Sequence, residues 1–195
     1  MKDKRKKKTE VLMQNKKEIN MLAKIPNDIM TVYMAGIMIG GELQKPTVEW
    51  RYRIRKHYEN WKGKGAYEIR FLCPYNGELD AEIDNEGLTN NKVSGKTIFA
   101  GDKEAIKKAD IIVANFNQYG SKRPSVGTYM ECGMALAWGK PLILIVPPEE
   151  FDRWNAHPFT SQAVAIYKSV DEFLESKILN WFYKRTNSAI YEWEL

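Results

Sequence analysis

Histidine and cysteine are scarce in this chain, with two of each among 195 residues, and neither type has the spacing of a metal site. Cys73 and Cys132 lie inside apolar segments, which reads as buried reduced thiols and not as a disulfide scaffold. Long apolar runs are missing as well: nothing approaches the roughly 18 consecutive apolar residues of a membrane-spanning helix. No apolar stretch with a small-residue cleavage site follows the basic N-terminus, so the expectation is a cytoplasmic protein with no membrane partner. The body of the chain also lacks a charge excess. Residues 1–24 carry nine Lys/Arg and three Asp/Glu, which leaves 21 basic against 22 acidic residues elsewhere, so the formal net charge of +5 belongs to an arm. That arm, residues 1–28, contains KDKRKKK and reads as a solvated extension, with contact to nucleic acid as the alternative. An amphipathic helix is expected within it, over residues 10–24.

What remains, residues 29–195, suits one domain with a single core. Strands are expected at residues 31–36, 67–73, 110–116, 141–146 and 163–167. Helices are expected at 46–61, 101–109, 126–138 and from Ser169, where Ser169 and Glu172 form a capping box. Strand, helix and strand within residues 110–146 make a right-handed parallel unit, and Asp110 at its start reads as structural. The fold class is therefore α/β, a doubly wound five-stranded parallel sheet flanked by helices, flavodoxin- or Rossmann-like. After the first strand, GIMIGGELQKP is punctuated by Gly36, Gly40 and Gly41. Such a loop either brings backbone amides close to phosphate or sugar oxygens or makes a tight turn. Residues 74–95 form a long polar loop and a candidate lid, and residues 147–160 an irregular loop with Asn155 and His157. Arg51, Arg53, Arg55 and Lys56 read as a solvated helix face.

One residue stands apart. The segment VGTYMECGMALAW is helical, uncharged and without an obvious solvent face, except that it holds Glu131. Gly127, Glu131 and Ala135 follow at i, i+4 and i+8, so small residues flank the acid on one face and leave space over it. A carboxylate buried without partners costs several kcal/mol or takes up a proton. Glu131 is thus either a well-bonded structural acid or a functional one, and these features alone leave both open.

The segments VYMAG, GDKEAIKKADIIVAN and SVGTYMECGMALAWGKPLI, in this order over residues 30–168, resemble the nucleoside 2-deoxyribosyltransferase family, including the related 2'-deoxynucleoside 5'-monophosphate N-glycosidases. The resemblance implies cleavage of the N-glycosidic bond of a 2'-deoxyribonucleoside or its 5'-monophosphate through a covalent deoxyribosyl-glutamate. The sugar then passes to another nucleobase or to water, with no cofactor and no metal. It places the nucleophile at Glu131, a second acid near the departing base or sugar at Asp102, and a hydrogen-bond donor to the nucleophile at Tyr33. For Asp102 the competing reading is a helix N-cap. Gly36, Ser125 and Gly127 border the substrate. Ser125 stands where the nucleoside transferases carry an aspartate for the 5' hydroxyl, and a hydroxyl there resembles the nucleotide hydrolases and favours a 5'-phosphate. The hydrolases' first-loop arginine is replaced by Ile39, with Lys122 or Arg123 as substitute charges. Asn155 or His157 would complete the site of a neighbouring subunit in a homo-oligomer. The rival classes are a non-catalytic nucleotide-binding module recruited to nucleic acid by the arm, and an N-glycosidase of another ribosyl compound.

Overall fold

Residues 29–38, 44–59, 68–74, 83–84, 87–88, 95–122 and 125–182 are described by the computed structural model. The chain runs β1 (Ile29–Gly36), α1 (Gln44–Glu59), β2 (Glu68–Leu72), a short pair β3 (Ile83–Asp84) and β4 (Gly87–Leu88), and α2 (Gly95–Lys108). It continues through β5 (Ile111–Asn115), α3 (Val126–Ala137), β6 (Leu142–Ile145), α4 (Phe151–Ala156), β7 (Ala165–Tyr167) and α5 (Val170–Ser176). Five strands form one sheet in the order β2-β1-β5-β6-β7, and all four pairings are parallel. The central strands IIVAN and LILI are buried at every residue, as both faces of a parallel sheet require.

Alternation along β1 divides the core. Val32 and Met34 pack with Trp50, Ile54 and Tyr58 of α1 and Phe173 of α5 on one face. Tyr33 and Ala35 pack with Ile106 of α2, Cys132 and Ala135 of α3, and Trp154 of α4 on the other. Strand order reverses between β1 and β5, where Gly36 lies in register with Asn115. A doubly wound sheet receives ligands at such a reversal, beyond the carboxyl ends of the strands.

Several expectations need correction. Arg51 is not on a solvated face: with Thr47, Trp50, Ile54 and Tyr58 it occupies the buried stripe of α1 and is only 2% exposed. Arg53, Arg55 and Lys56 are exposed as expected. The second helix starts at Gly95, so Asp102 is in mid-helix and the N-cap reading fails. Ile98, Asp102, Ala105 and Ile106 form one partly or fully buried stripe, whose packing outweighs the roughly 1 kcal/mol that Gly101 costs inside a helix. Residues 147–160 are not irregular throughout, for they hold a 3-10 turn at Pro148–Glu150 and then α4. Trp154 anchors that segment: it is buried, and its Nε1 donates to Glu150 Oε2 at 2.8 Å. The antiparallel pair β3 and β4 lies within the candidate lid.

Other readings match. Asp110 is structural, its Oδ2 accepting from the Thr31 amide at 2.8 Å. Ser169 Oγ accepts from the Glu172 amide at 3.1 Å. Both cysteines are free, with Cys132 buried and Cys73 half-buried. No described helix is long and apolar enough to cross a membrane. The basic arm with its expected helix, and the loop glycines Gly40 and Gly41, lie outside the described residues.

A methyl group on Gly36 would stand 2.8 Å from Trp50 Cζ2, 3.1 Å from Arg51 Nη2 and 3.2 Å from the Asn115 carbonyl. The indole and the guanidinium are both buried, so neither can swing aside. Gly36→Ala is expected to destabilise the protein by about 1–3 kcal/mol through overpacking. A urea denaturation midpoint equal to that of the unsubstituted protein would show that this approach is not tight.

Candidate active site

Tyr33 is the fifth residue of β1, and the alternation of the strand turns it toward the helices α2 and α3. The buried stripe of α3, Thr128, Glu131, Cys132 and Ala135, packs on this side of the sheet. The two elements meet in one hydrogen bond across 98 residues of sequence: the Tyr33 hydroxyl donates to Glu131 Oε1 at 2.6 Å. Glu131 is 8% exposed. Asp102, on the packed stripe of α2, is within hydrogen-bonding reach of the Tyr33 phenol, and its charge is felt by Tyr33 and Glu131 alike. The structure thus brings together the three residues expected to do chemistry.

Burial is the dominant influence on the Glu131 carboxyl and pushes its pKa from 4.5 up to about 7. The Asp102 charge adds to the rise, while the Tyr33 hydrogen bond and the Arg51 charge oppose it. Help from the positive end of the helix is minor, because Glu131 is the sixth residue of α3 and the dipole acts mainly within the first turn. Burial, then the nearby acids, also drive the Tyr33 phenol far above its ordinary range, so Tyr33 remains a donor. The Cys132 thiol is raised as well, by burial and then by Glu131. Among the described residues no group of three or more His, Cys, Asp and Glu side chains is arranged to hold a metal ion.

The remaining candidates are distributed around this centre. Gly36 closes the carboxyl end of β1. Gly127 is exposed, with open space where a Cβ would stand. Ser125 precedes α3 without capping it; its hydroxyl instead shares a hydrogen bond with that of Thr128. It also borders a cleft of about 360 Å³ that reaches Ile37, Asn117, Tyr129, Glu149 and Glu150. Lys122 is exposed, and Ile39 and Arg123 lie outside the described residues. Asn155 and His157 sit on α4 and at its end with exposed side chains. His157 Nδ1 accepts from the Phe159 amide at 3.3 Å, and neither residue is among the groups acting on Glu131.

Sequence reasoning missed Arg51. Its Nη1 donates to the Thr47 carbonyl at 2.5 Å and its Nη2 to the Gly36 carbonyl at 2.9 Å, and its Cζ lies 4.5 Å from the Trp50 ring centre. The available signal was position: Arg51 follows Thr47 by four residues and precedes Ile54 by three, on the apolar stripe of its helix.

An acid so deeply buried, with a phenol and a second acid at the place where a doubly wound sheet receives ligands, defines an α/β enzyme. Residues 32–180 match the family model described as nucleoside 2-deoxyribosyltransferase, and the chain belongs to that family. Its activity is therefore of the deoxyribosyltransferase type. Among solved structures, a conserved protein from Enterococcus faecalis V583 has a TM-score of 0.52 at 16% identity, over 75% of this chain and 96% of that one. The CMP N-glycosidase of Clostridium botulinum matches with a TM-score of 0.47 at 19% identity, over 77% and 98%. A 2-desoxiribosyltransferase from Leishmania mexicana does so at 0.47 and 20%, over 80% and 97%. No curated protein sequence matches the chain.

The raised Glu131 pKa has a consequence for stability that needs no substrate. Below about pH 4.5 the carboxyl is protonated in both folded and unfolded chains; between 4.5 and about 7 only the folded chain holds the proton, so stability falls as pH rises. Full ionisation costs the fold about 3 kcal/mol relative to pH 4.5. Glu131→Gln escapes this loss. In urea denaturation at pH 5 and pH 8, the stability of Glu131→Gln relative to the unsubstituted protein should therefore improve at the higher pH. A difference independent of pH would mean that Glu131 titrates normally.

Proposed function

We propose that the protein cleaves the N-glycosidic bond of a 2'-deoxyribonucleoside or its 5'-monophosphate, with Glu131 as the nucleophile. The observation that carries this reading is the buried Tyr33–Glu131 hydrogen bond beside Asp102. In the first step a Glu131 carboxylate oxygen bonds to the anomeric carbon while the bond to the nucleobase breaks. The base leaves with the electron pair and takes a proton that Asp102 relays from solvent. In the second step a nitrogen of another nucleobase, or a water oxygen, bonds to the same carbon, loses its proton to Asp102 and frees Glu131. Two displacements retain the configuration of the sugar. Tyr33 holds the carboxylate in place and supplies a proton donor that burial keeps from ionising.

Two features bear on the 5' end of the substrate. Ser125 presents a hydroxyl where an aspartate would repel phosphate, which supports a monophosphate. Glu149 and Glu150 line the same cleft, which supports an uncharged 5' end, although Glu150 is engaged by Trp154. Such an activity belongs to nucleotide salvage in the cytoplasm. The active form in this reading is a homo-oligomer, in which Asn155 or His157 of one copy completes the site of the next. The outer face of α3 supports it: Val126, Tyr129, Met130, Gly133 and Ala137 are exposed and uncharged.

Deoxynucleosides and their monophosphates, with and without a second base, are to be incubated with the enzyme and the products separated by chromatography. Base release or exchange is expected, with losses of at least about 10³-fold in Glu131→Ala and about 10²–10⁴-fold in Asp102→Asn. Equal rates for the unsubstituted enzyme and Glu131→Ala on every substrate would remove Glu131 from the mechanism. Light scattering coupled to size exclusion should give a multiple of the 22.6 kDa chain, reduced in Met130→Glu. A monomer at working concentration would contradict the shared-site arrangement.

A further inference from the structure

We propose that Tyr119 is a specificity-determining residue of this site, a fixed hydrogen-bond donor for the 5' hydroxyl of a substrate that carries no 5'-phosphate. The inference deepens the reading above and rests on it, because that reading puts the 5' end of the substrate at Ser125.

Tyr119 and Ser125 border the same cleft, one wall of which is the segment that follows β5. The side chains of that wall take their orientation from one backbone amide. Asn115, the last residue of β5, is 1% exposed, and its Oδ1 accepts from the Asn117 amide at 3.0 Å and from Asn117 Nδ2 at 2.8 Å. A backbone amide only donates, so the Asn115 side-chain oxygen faces Asn117 and its nitrogen faces the other way. That nitrogen donates to the Tyr119 hydroxyl at 2.8 Å. The phenol oxygen is thus an acceptor toward Asn115, and its own proton is left for a group outside this network. Backbone strain accompanies the arrangement: Tyr119 has φ 52° and Gly120 φ 87°. A left-handed conformation is uncommon for a bulky residue, and strain of this kind collects at binding sites. The Tyr119 ring packs against the core between α1 and α5, so the side chain is held at both ends.

Charge decides what meets that proton. The described residues lining the cleft include Glu149 and Glu150 but no Lys, Arg or His. A 5'-phosphate carries about two negative charges at neutral pH and is best held by cationic donors; in this cleft it would face carboxylates. A hydroxyl both accepts and donates. It can take the Tyr119 proton and give its own to Glu149, which is exposed in the cleft while Glu150 is engaged by Trp154.

The test is a cycle between the phenol and the 5' hydroxyl, run on the full chain with 2'-deoxyadenosine and 2'-deoxycytidine and the 2',5'-dideoxy analogue of each. In Tyr119→Phe, kcat/KM for base release from the 2'-deoxynucleosides should fall about 3–10-fold, mainly through KM, and stay within about twofold for the 5'-deoxy analogues. Equal losses on both would mean that Tyr119 serves only the fold, and they overturn the proposal. So does a higher kcat/KM of the unsubstituted protein for the 5'-monophosphates than for the nucleosides. The cycle is repeated as Kd by calorimetry in the Glu131→Gln background, which requires no turnover; failure of both 2'-deoxynucleosides to bind there overturns the proposal. If Tyr119→Phe does not fold, equal Kd values for a 2'-deoxynucleoside and its 5'-deoxy analogue overturn it instead, and about 3–10-fold tighter binding of the former sustains it. Absence of base release by the unsubstituted protein would refute the catalytic reading, while the calorimetric cycle still decides on Tyr119.

Discussion

The site depends on one hydrogen bond, from the Tyr33 hydroxyl to Glu131 Oε1. Removing a carboxylate from water costs several kcal/mol, and a hydrogen bond to a charged group returns about 1.5–3 kcal/mol. The two do not cancel, and a carboxyl pKa near 7 is the residue of that imbalance. An acid in that range is ionised for much of the time at neutral pH, and it is a better nucleophile than an ordinary carboxylate because it holds its charge less comfortably. Both partners serve this balance. The phenol cannot compete for the negative charge, since burial and the neighbouring acids hold it protonated.

The fold delivers these groups through two simple periodicities. Alternation along β1 sends Tyr33 to one face and leaves Gly36 on the other. The helical repeat of α3 puts Glu131 on the stripe with Thr128, Cys132 and Ala135, while that of α2 puts Asp102 between Ile98 and Ile106. None of the three candidate side chains occupies a loop, so their mutual geometry is as rigid as the sheet itself.

Much of this is legible in the sequence. Apolar runs such as IIVAN and LILI can hardly be anything but buried strands, and a lone acid in an uncharged helix draws attention to itself. Tyr33 and Asp102 were visible only through the motifs around them, because a strand tyrosine and a helical aspartate are ordinary by composition. Arg51 was hidden by its neighbours. In WRYRIRK three basic residues share a short stretch before Lys56, and only helical phase tells the buried one from the exposed ones. The helix α4 was hidden by its shortness, since six residues cannot display a period. The competing N-cap reading of Asp102 follows from Gly101, which reads as a boundary, and tertiary packing overrides that local preference.

The 98 residues between Tyr33 and Glu131 have a meaning for how the protein is made. The two side chains become neighbours only after β1 has paired with β5 and α3 has docked onto the sheet, contacts that are far apart along the chain and therefore costly in loop-closure entropy. During synthesis Tyr33 emerges long before its partner. A nascent or partly folded chain carries an ordinary solvated glutamate with the usual weak reactivity. In the proposed mechanism the reactive pair exists only once these long-range contacts are made, so turnover reports on completed folding more stringently than helix content does.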